Sequence, residues 1–193
     1  MKAEFFRESI HLMLGIFFIA IAQFLSRTDF LLIAGLVFSI GLFTALLLRF
    51  DFKIPYTVNA LNEVDKIVSL AERKEEKNFP GLAAFIFVLG VLLAGFFFNN
   101  PLTLTVALIP LTFGDSIATI IGERHGKIKI GRRTLEGSLA GITASAVILS
   151  LFIPINLSIA IAVIAMASEY LPFNDNLVIP LASGIAFSYL TGL

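Results

Sequence analysis

Long apolar stretches separated by short polar segments run through the whole sequence. A helix that crosses a bilayer needs about 20 predominantly apolar residues, and seven stretches approach or reach that length with at most one acidic or basic residue each: 10–25, 30–48, 79–98, 101–122, 137–155, 156–171 and 176–193. The pattern predicts an all-α, polytopic integral membrane protein. We expect residues 1–193 to form a single membrane-embedded domain with about seven transmembrane helices.

Composition supports this class of protein and excludes others. The 193 residues are 58% hydrophobic and only 15% charged, and the mean hydropathy is +0.94, whereas soluble domains are about half apolar and about a quarter charged. Fourteen basic and fourteen acidic residues cancel, so no basic excess indicates a nucleic-acid partner. The absence of cysteine excludes disulfides, thiolate metal sites and a cysteine nucleophile.

The basic residues predict the orientation, because cytoplasmic loops are enriched in Lys and Arg. With seven spans, thirteen of the fourteen basic residues fall on the side of the amino terminus and Arg27 alone falls on the other. We therefore expect a cytoplasmic amino terminus. The long loop 49–78 carries apolar residues at helical spacing from Pro55 to Ala71, which predicts one amphipathic helix at the cytoplasmic interface. A solvated connector packed against the bundle is the alternative.

An acidic residue, Asp115, interrupts the fourth apolar stretch about two turns from its cytoplasmic end. A carboxylate inside the membrane costs roughly 2.5–3.5 kcal/mol on insertion scales, and such residues are usually functional. A helix–helix hydrogen bond or a nearby arginine partner is the alternative reading. Pro110 removes a backbone donor five residues earlier and predicts a kink or interruption of the helix.

Small residues and cations follow Asp115. Ala118, Gly122 and Gly126 share its helix face, so they allow close approach of either a ligand or another helix. Five cations within ten residues come next: Arg124, Lys127, Lys129, Arg132 and Arg133. Beside the start of a helix they suit phosphate oxygens, although a lipid-facing basic loop is the commoner case. Carboxylates with a divalent metal, together with these cations, suit phosphoryl or nucleotidyl transfer.

From Asp115 to Gly137 the sequence resembles the CTP-dependent polyprenol kinases, a family that includes dolichol kinase, phytol kinase and the yeast-type CTP-dependent diacylglycerol kinase. The family's CTP-binding signature is D-x-x-A-x-x-x-G-x-x-x-G-x-x-K, followed by K-T-x-E-G. The matching residues are Asp115, Ala118, Gly122, Gly126, Lys129, Arg133, Thr134, Glu136 and Gly137. Arg133 stands where the family usually has Lys, which keeps the charge but replaces a point charge by a planar fork.

Two flanking segments are also similar to this family. Arg7 and His11 resemble its amino-terminal basic residue and histidine, and the segment from Glu169 through Asp175 and Asn176 resembles the ending of dolichol kinases. The resemblance covers most of the chain, which is similar to the catalytic core of the longer eukaryotic enzymes. It implies transfer of the γ-phosphate of CTP to the hydroxyl of a membrane isoprenoid alcohol of the dolichol or polyprenol type, with a divalent cation such as Mg²⁺.

The resemblance also implies roles for individual residues. Asp115, Glu136 and Lys129 are expected to be catalytic, with Asp115 or Glu136 binding the metal; the sequence leaves open which carboxylate is the base. The residues expected at the CTP phosphates are Ala118, Gly122, Gly126, Lys127, Lys129, Arg132, Arg133, Thr134 and Gly137. Those expected to bind substrate or support the site are Arg7, His11, Glu169, Asp175 and Asn176, for each of which capping or an interfacial position is an alternative.

Two other functions fit parts of the pattern. A CTP:phosphatidate-type cytidylyltransferase also combines CTP, metal and a membrane, but it would leave CMP on the lipid and release pyrophosphate. A small transporter would explain an acid inside the membrane, yet it gives no reason for five clustered cations. The expected partners are CTP, a lipid alcohol and the bilayer, with the active site on the cytoplasmic side. The identity of the alcohol and the oligomeric state stay open.

Overall fold

The structure, a computed structural model, describes residues 2–50, 63, 64, 66 and 81–193, which are almost wholly helical. The helices are α1 (Lys2–Phe24), α2 (Arg27–Arg49), α3 (Leu82–Phe97), α4 (Pro101–Ile109), α5 (Asp115–His125), α6 (Leu135–Leu149), α7 (Ile155–Ser168) and α8 (Asp175–Thr191). A π-helical turn, Pro110–Gly114, joins α4 to α5, and two short strands, β1 (Lys129–Ile130) and β2 (Arg133–Thr134), precede α6. The predicted all-α class is confirmed.

Each predicted apolar stretch coincides with helical structure, and the fourth consists of α4, the π-helical turn and α5. Three helical segments are long and apolar enough to cross a membrane, namely Glu4–Phe24, Arg27–Arg49 and Pro101–His125, while α3, α6 and α7 are apolar but shorter. The chain is therefore a membrane protein, and the count of seven spans and the orientation stay predictions. Apart from residues 63, 64 and 66, the predicted amphipathic helix lies outside the described residues.

Local capping explains where two of the helices begin. The side chain of Asn100 accepts hydrogen bonds from two backbone N–H groups of the first turn of α4, and Pro101 occupies a position whose N–H needs no helical partner. Asn174 caps α8 in the same way, because its side-chain oxygen accepts from the backbone N–H of Asn176 at 3.1 Å. The last apolar stretch, predicted from residue 176, agrees within one residue with the start of α8 at Asp175.

The segment that carries Asp115 lies at the centre of the helical bundle. Among the 18 most apolar consecutive residues of Pro101–His125, 78% are buried. The corresponding fractions are 33% for Glu4–Phe24 in α1 and 11% for α2. Helices α1, α6, α7 and α8 all pack against α4, the π-helical turn or α5. The intramembrane acid is thus surrounded by protein rather than by lipid, as a charged group in an apolar environment requires.

The helix interruption predicted at Pro110 is confirmed as a π-helical turn. Proline has no N–H to donate, and the backbone N–H of Asp115 reaches back five residues to the carbonyl of Pro110. Neighbouring helices approach this turn closely: a Cβ on Gly15 of α1 would overlap the side chain of Thr112, and a Cβ on Gly114 would come within 2.9 Å of Met166 Sδ. The turn is therefore fixed by packing on at least two sides.

Arg27 binds the carboxyl end of α3 through hydrogen bonds. The Arg27 guanidinium donates to the carbonyl oxygens of Gly95 at 3.1 Å and Phe96 at 2.5 Å, near the carboxyl end of α3. A cation at a helix carboxyl end satisfies exposed carbonyls and interacts favourably with the helix dipole. Arg27, predicted to stand apart from the other cations, accordingly binds backbone at its own end of the bundle.

Candidate active site

A short hairpin presents the basic segment to the helices. Lys129 pairs with Thr134 and Ile130 pairs with Arg133 in antiparallel register, so that Gly131 and Arg132 form a two-residue turn. Gly131 adopts a φ of +60°, a conformation that tight hairpin turns require and that glycine adopts without strain. The hairpin was not predicted, because a two-residue strand has too few positions to show an alternating pattern.

The small residues after Asp115 pack α5 against the start of α6. A Cβ on Gly137 would lie 2.6 Å from the carbonyl oxygen of Ala118, and a Cβ on Gly122 would lie 2.9 Å from Thr134 Oγ1. A Cβ on Gly126 would overlap Thr134. Thr134 also caps α6, because its hydroxyl accepts the backbone N–H of Gly137 at 3.2 Å. These contacts establish that the small residues allow another helix to approach closely, which is one of the two predicted alternatives.

Two adjoining cavities lie where the hairpin meets the helices. The main cavity, about 510 Å³, is lined by polar residues from α1, α5, the hairpin, the end of α7 and the start of α8, and by apolar residues of α3. The smaller one, about 150 Å³, is lined by α5, β2 and the start of α6. Thr119, Arg132 and Arg133 line both. The two spaces therefore share a basic wall.

Arg133 joins carboxylates from three separate elements. Its Nη2 lies 2.8 Å from Asp115 Oδ1 and also binds Asp175, its Nη1 donates to Thr119 Oγ1 at 3.0 Å, and its Nε lies 3.5 Å from Glu169 Oε2. Burial opposes the charged form, but the attraction of the three carboxylates outweighs it and raises the pKa of Arg133 above its usual value. The guanidinium is therefore charged and fixed in direction.

A second polar cluster faces the cavity from α1. Arg7 donates to Glu8 Oε1 from Nη2 at 2.7 Å and from Nε at 3.2 Å, and its Nη2 lies 2.6 Å from Glu4 Oε2. His11 Nδ1 lies 3.9 Å from Glu8 Oε2. The imidazole stacks on the ring of Phe87 with centroids 4.9 Å apart, which fixes its plane. Glu8 and His11 are buried, with 1% and 4% of their surface exposed.

The structure brings many of the predicted residues together around the two cavities. Those that line the main cavity are Arg7, His11, Asp115, Arg132, Arg133, Glu169, Asp175 and Asn176. Those that line the smaller one are Ala118, Gly122, Arg132, Arg133, Thr134 and Gly137. The carboxylates at the ends of α7 and α8, which are far from Asp115 in sequence, meet it through Arg133.

Four predicted residues line neither cavity. Gly126, Lys127 and Lys129 are exposed near or on the hairpin. The carboxylate of Glu136 accepts the backbone N–H of Ile128 at 3.2–3.3 Å. Hydrogen bonds from its own N–H and from other backbone N–H groups lower the pKa of Glu136, so this group ties the hairpin to α6. The expected catalytic and phosphate-binding roles of these residues stay predictions.

The main cavity also contains polar residues that were not predicted from the sequence, among them Glu8 and Thr119. Glu8 comes three residues before His11, and Thr119 comes four residues after Asp115, spacings that place each pair on one helix face. Glu8 lies among charged residues at the start of α1, where a solvated carboxylate is the ordinary expectation. Its burial depends on contacts with other helices that no local pattern shows.

The donor set of the main cavity fits a divalent cation. Among the described residues that line it, four carboxylates (Glu8, Asp115, Glu169 and Asp175) accompany three guanidinium groups (Arg7, Arg132 and Arg133). Glu8 Oε2 and Glu169 Oε1 are buried and have no hydrogen-bond partner among the described residues, while Glu169 Oε2 has the ion pair with Arg133 Nε at 3.5 Å. Buried carboxylate oxygens are costly without a partner, and oxygen ligands are what Mg²⁺ and related cations bind.

Comparison with known proteins gives two relatives. An uncharacterized protein of Methanocaldococcus jannaschii is 30% identical over 184 residues, which cover 92% of this chain and 88% of the archaeal protein. The dolichol kinase EVAN of Arabidopsis thaliana is 28% identical over 101 residues, which cover 44% of this chain but 18% of the plant protein. No protein-family model and no solved structure matches the chain.

The fold and the cavities define an all-α membrane protein with a buried site of carboxylates and guanidinium groups. The chain belongs to the same family as the archaeal protein, since the similarity spans nearly the whole of both. The partial match to the plant enzyme supports a relation to dolichol kinase.

Proposed function

We propose that this protein is a multi-pass, CTP-dependent lipid kinase that transfers the γ-phosphate of CTP to the hydroxyl of a membrane isoprenoid alcohol of the dolichol or polyprenol type at the cytoplasmic face. The observation that carries the proposal is the basic wall shared by two cavities. Five residues of the kinase-like signature line the smaller cavity, and Asp115 lines the larger one beyond Arg133. The partial match to a dolichol kinase supports the same reaction.

The two cavities suit the two substrates of an in-line transfer. The phosphates of CTP would lie on the side of Thr134 and the start of α6, with their negative charge neutralised by Arg132, Arg133 and the exposed Lys129. The lipid alcohol would enter the larger cavity past the apolar residues of α3, among them Leu82 and Ile86. Its hydroxyl would then face the terminal phosphate across Arg133.

The reaction itself is a phosphoryl transfer between two oxygens. The hydroxyl oxygen of the alcohol forms a bond to the γ-phosphorus, the bond from that phosphorus to the bridging oxygen breaks, and CDP leaves. Asp115 accepts or orients the hydroxyl proton, a role favoured over Glu136 because Asp115 lines the larger cavity. A divalent cation would neutralise phosphate charge, and positioning with charge neutralisation supplies most of the catalysis.

The experiment is a transfer assay on purified protein in lipid nanodiscs, with a panel of lipid alcohols and CTP radiolabelled at either the α- or the γ-phosphate. A kinase moves the γ-label to the lipid and releases CDP. Label from the α-position on the lipid, with release of pyrophosphate, would instead establish a cytidylyltransferase. Absence of transfer to every alcohol and to diacylglycerol would refute the proposal.

A matched pair of variants tests the assignment of Asp115. Asp115→Asn removes the carboxylate that contacts Arg133, whereas Asp29→Asn changes an exposed acid in the first turn of α2. We expect turnover to fall at least about 100-fold in the first variant, within the range for a general acid–base group, and to be unchanged in the second. Wild-type turnover in folded Asp115→Asn protein would contradict the assignment.

A further inference from the structure

We propose that Glu8, His11 and Asp115 form a binding site for a divalent transition-metal ion. The three residues are all buried, and one ligand atom of each lies within 4.8 Å of the ligand atoms of the other two. They come from two helices, α1 and α5, that pack against each other. The role of this site as the metal centre of the kinase rests on the proposed function, whereas the binding of the ion does not depend on it.

The unsatisfied oxygen of Glu8 points to a ligand. Arg7 binds Glu8 Oε1 through two nitrogens, whereas Glu8 Oε2 has no hydrogen-bond partner among the described residues and lies 3.9 Å from His11 Nδ1. A carboxylate that is 1% exposed should have both oxygens bonded, because a buried polar atom without a partner costs free energy. An ion between Glu8, His11 and Asp115 would satisfy this atom.

The distances fit a metal ion after a small movement. Metal–nitrogen and metal–oxygen bonds to histidine and carboxylate are about 2.1 Å, so two ligand atoms of one ion lie at most about 4.2 Å apart. The separation of 3.9 Å between His11 and Glu8 already meets this limit. No separation in the set exceeds 4.8 Å, so the ligand atoms would have to close by at most roughly 0.6 Å.

The ligand types select the class of ion. Two carboxylates and one imidazole suit Mn²⁺, Fe²⁺ or Zn²⁺, whereas Mg²⁺ prefers an all-oxygen shell and retains its waters. Stacking on Phe87 at 4.9 Å holds the imidazole plane in place, as ligand positions in metal sites generally require. The ion pair between Arg133 and Asp115 Oδ1 leaves Oδ2 for the ion, and with both oxygens occupied Asp115 would orient the hydroxyl group rather than accept its proton.

The test uses Mn²⁺ as the probe and the purified full-length chain without a polyhistidine tag, nucleotide or lipid substrate. The chain has two histidines, so His125→Gln is a matched control that leaves His11 as the sole imidazole. Electron paramagnetic resonance should show one equivalent of Mn²⁺ bound to the wild type and to His125→Gln. His11→Gln and Glu8→Gln should each weaken the affinity at least about tenfold.

Nitrogen coupling to the bound Mn²⁺, measured by electron spin echo in His125→Gln, keeps the proposal testable even where a ligand variant does not fold. Presence of the coupling assigns His11 as a ligand. Its absence, unchanged affinity in folded His11→Gln, or displacement of Mn²⁺ by an equal concentration of Mg²⁺ would overturn the inference. If Mn²⁺ does not bind while γ-label still transfers from CTP to lipid, the inference fails and the proposed function stands.

Discussion

Arg133 is the residue whose replacement most directly tests the organisation of the site. Arg133→Met keeps an apolar stem of similar reach but removes the group that joins Asp115, Glu169 and Asp175. The side chains of Asp115 and Glu169 are 10% and 0% exposed, so the variant leaves negative charges unpaired in an apolar interior. Breaking a buried pair by removing one partner costs about 3–5 kcal/mol. Because Arg133 itself is 19% exposed, we expect a loss of about 3 kcal/mol in the free energy of unfolding.

The measurement is denaturant unfolding of the protein in detergent micelles, followed by circular dichroism. Arg132→Met is the matched control, since Arg132 is the next residue in the chain and is exposed; its effect should stay within about 0.5 kcal/mol. Arg133→Lys should fall between the two, because an ammonium group keeps the charge but cannot reproduce the fork that contacts Thr119 and the carboxylates.

A double variant separates the ion pairs from simple packing. Adding Glu169→Gln to Arg133→Met removes one of the stranded charges, so the double variant should be more stable than the sum of the two single losses predicts, with a coupling of about 0.5–3 kcal/mol. Strict additivity, or an Arg133→Met protein as stable as Arg132→Met, would refute the reasoning that Arg133 holds the carboxylates together.

Three further predictions follow from residues around the site. Gly137→Ala should destabilise the protein by about 1–3 kcal/mol, because the new Cβ would lie 2.6 Å from the carbonyl oxygen of Ala118. The control Gly35→Ala, where the Cβ meets nothing within 4 Å, should be neutral or stabilising. Equal unfolding curves for the two variants would contradict the close packing at Gly137. Lys129→Met should raise the KM for CTP with little change in thermal stability, since Lys129 is exposed; steady-state kinetics that leave KM unchanged would remove Lys129 from the phosphate site. Thr134→Val should cost about 1 kcal/mol in denaturant unfolding, because the helix cap to the Gly137 N–H is lost, and no loss would mean that the cap is dispensable.

The helices were predictable because the signals that define them are local. The apolar stretches and the helix interruption at Pro110 are predicted from neighbouring residues, and the structure has helices and a π-helical turn at these places. The sixth apolar stretch, 156–171, contains most of α7, but the helix ends three residues earlier, at Ser168. The helices that cross a bilayer were only partly predictable, because span length depends on where each helix bends or ends as well as on composition.

The site was less predictable because its parts are distant in sequence. Glu8 lies close to Asp115 although more than one hundred residues separate them in sequence. The sequence alone does not indicate which acidic residues form ion pairs with Arg133. The small residues Ala118, Gly122 and Gly126 are compatible with both ligand binding and helix packing, and their close contacts with Thr134 and Gly137 show that packing occurs. The role of these small residues at the phosphates stays a prediction.

The π-helical turn at Pro110–Gly114 has a consequence for the direction of Asp115. Such a turn adds one backbone position to a helix that otherwise advances about 100° per residue. If a deletion restored regular α-helical winding, everything beyond it would rotate by about 100°, and the acid would swing from the guanidinium of Arg133 toward a neighbouring helix. One extra peptide unit therefore sets the direction in which the Asp115 carboxylate faces the main cavity.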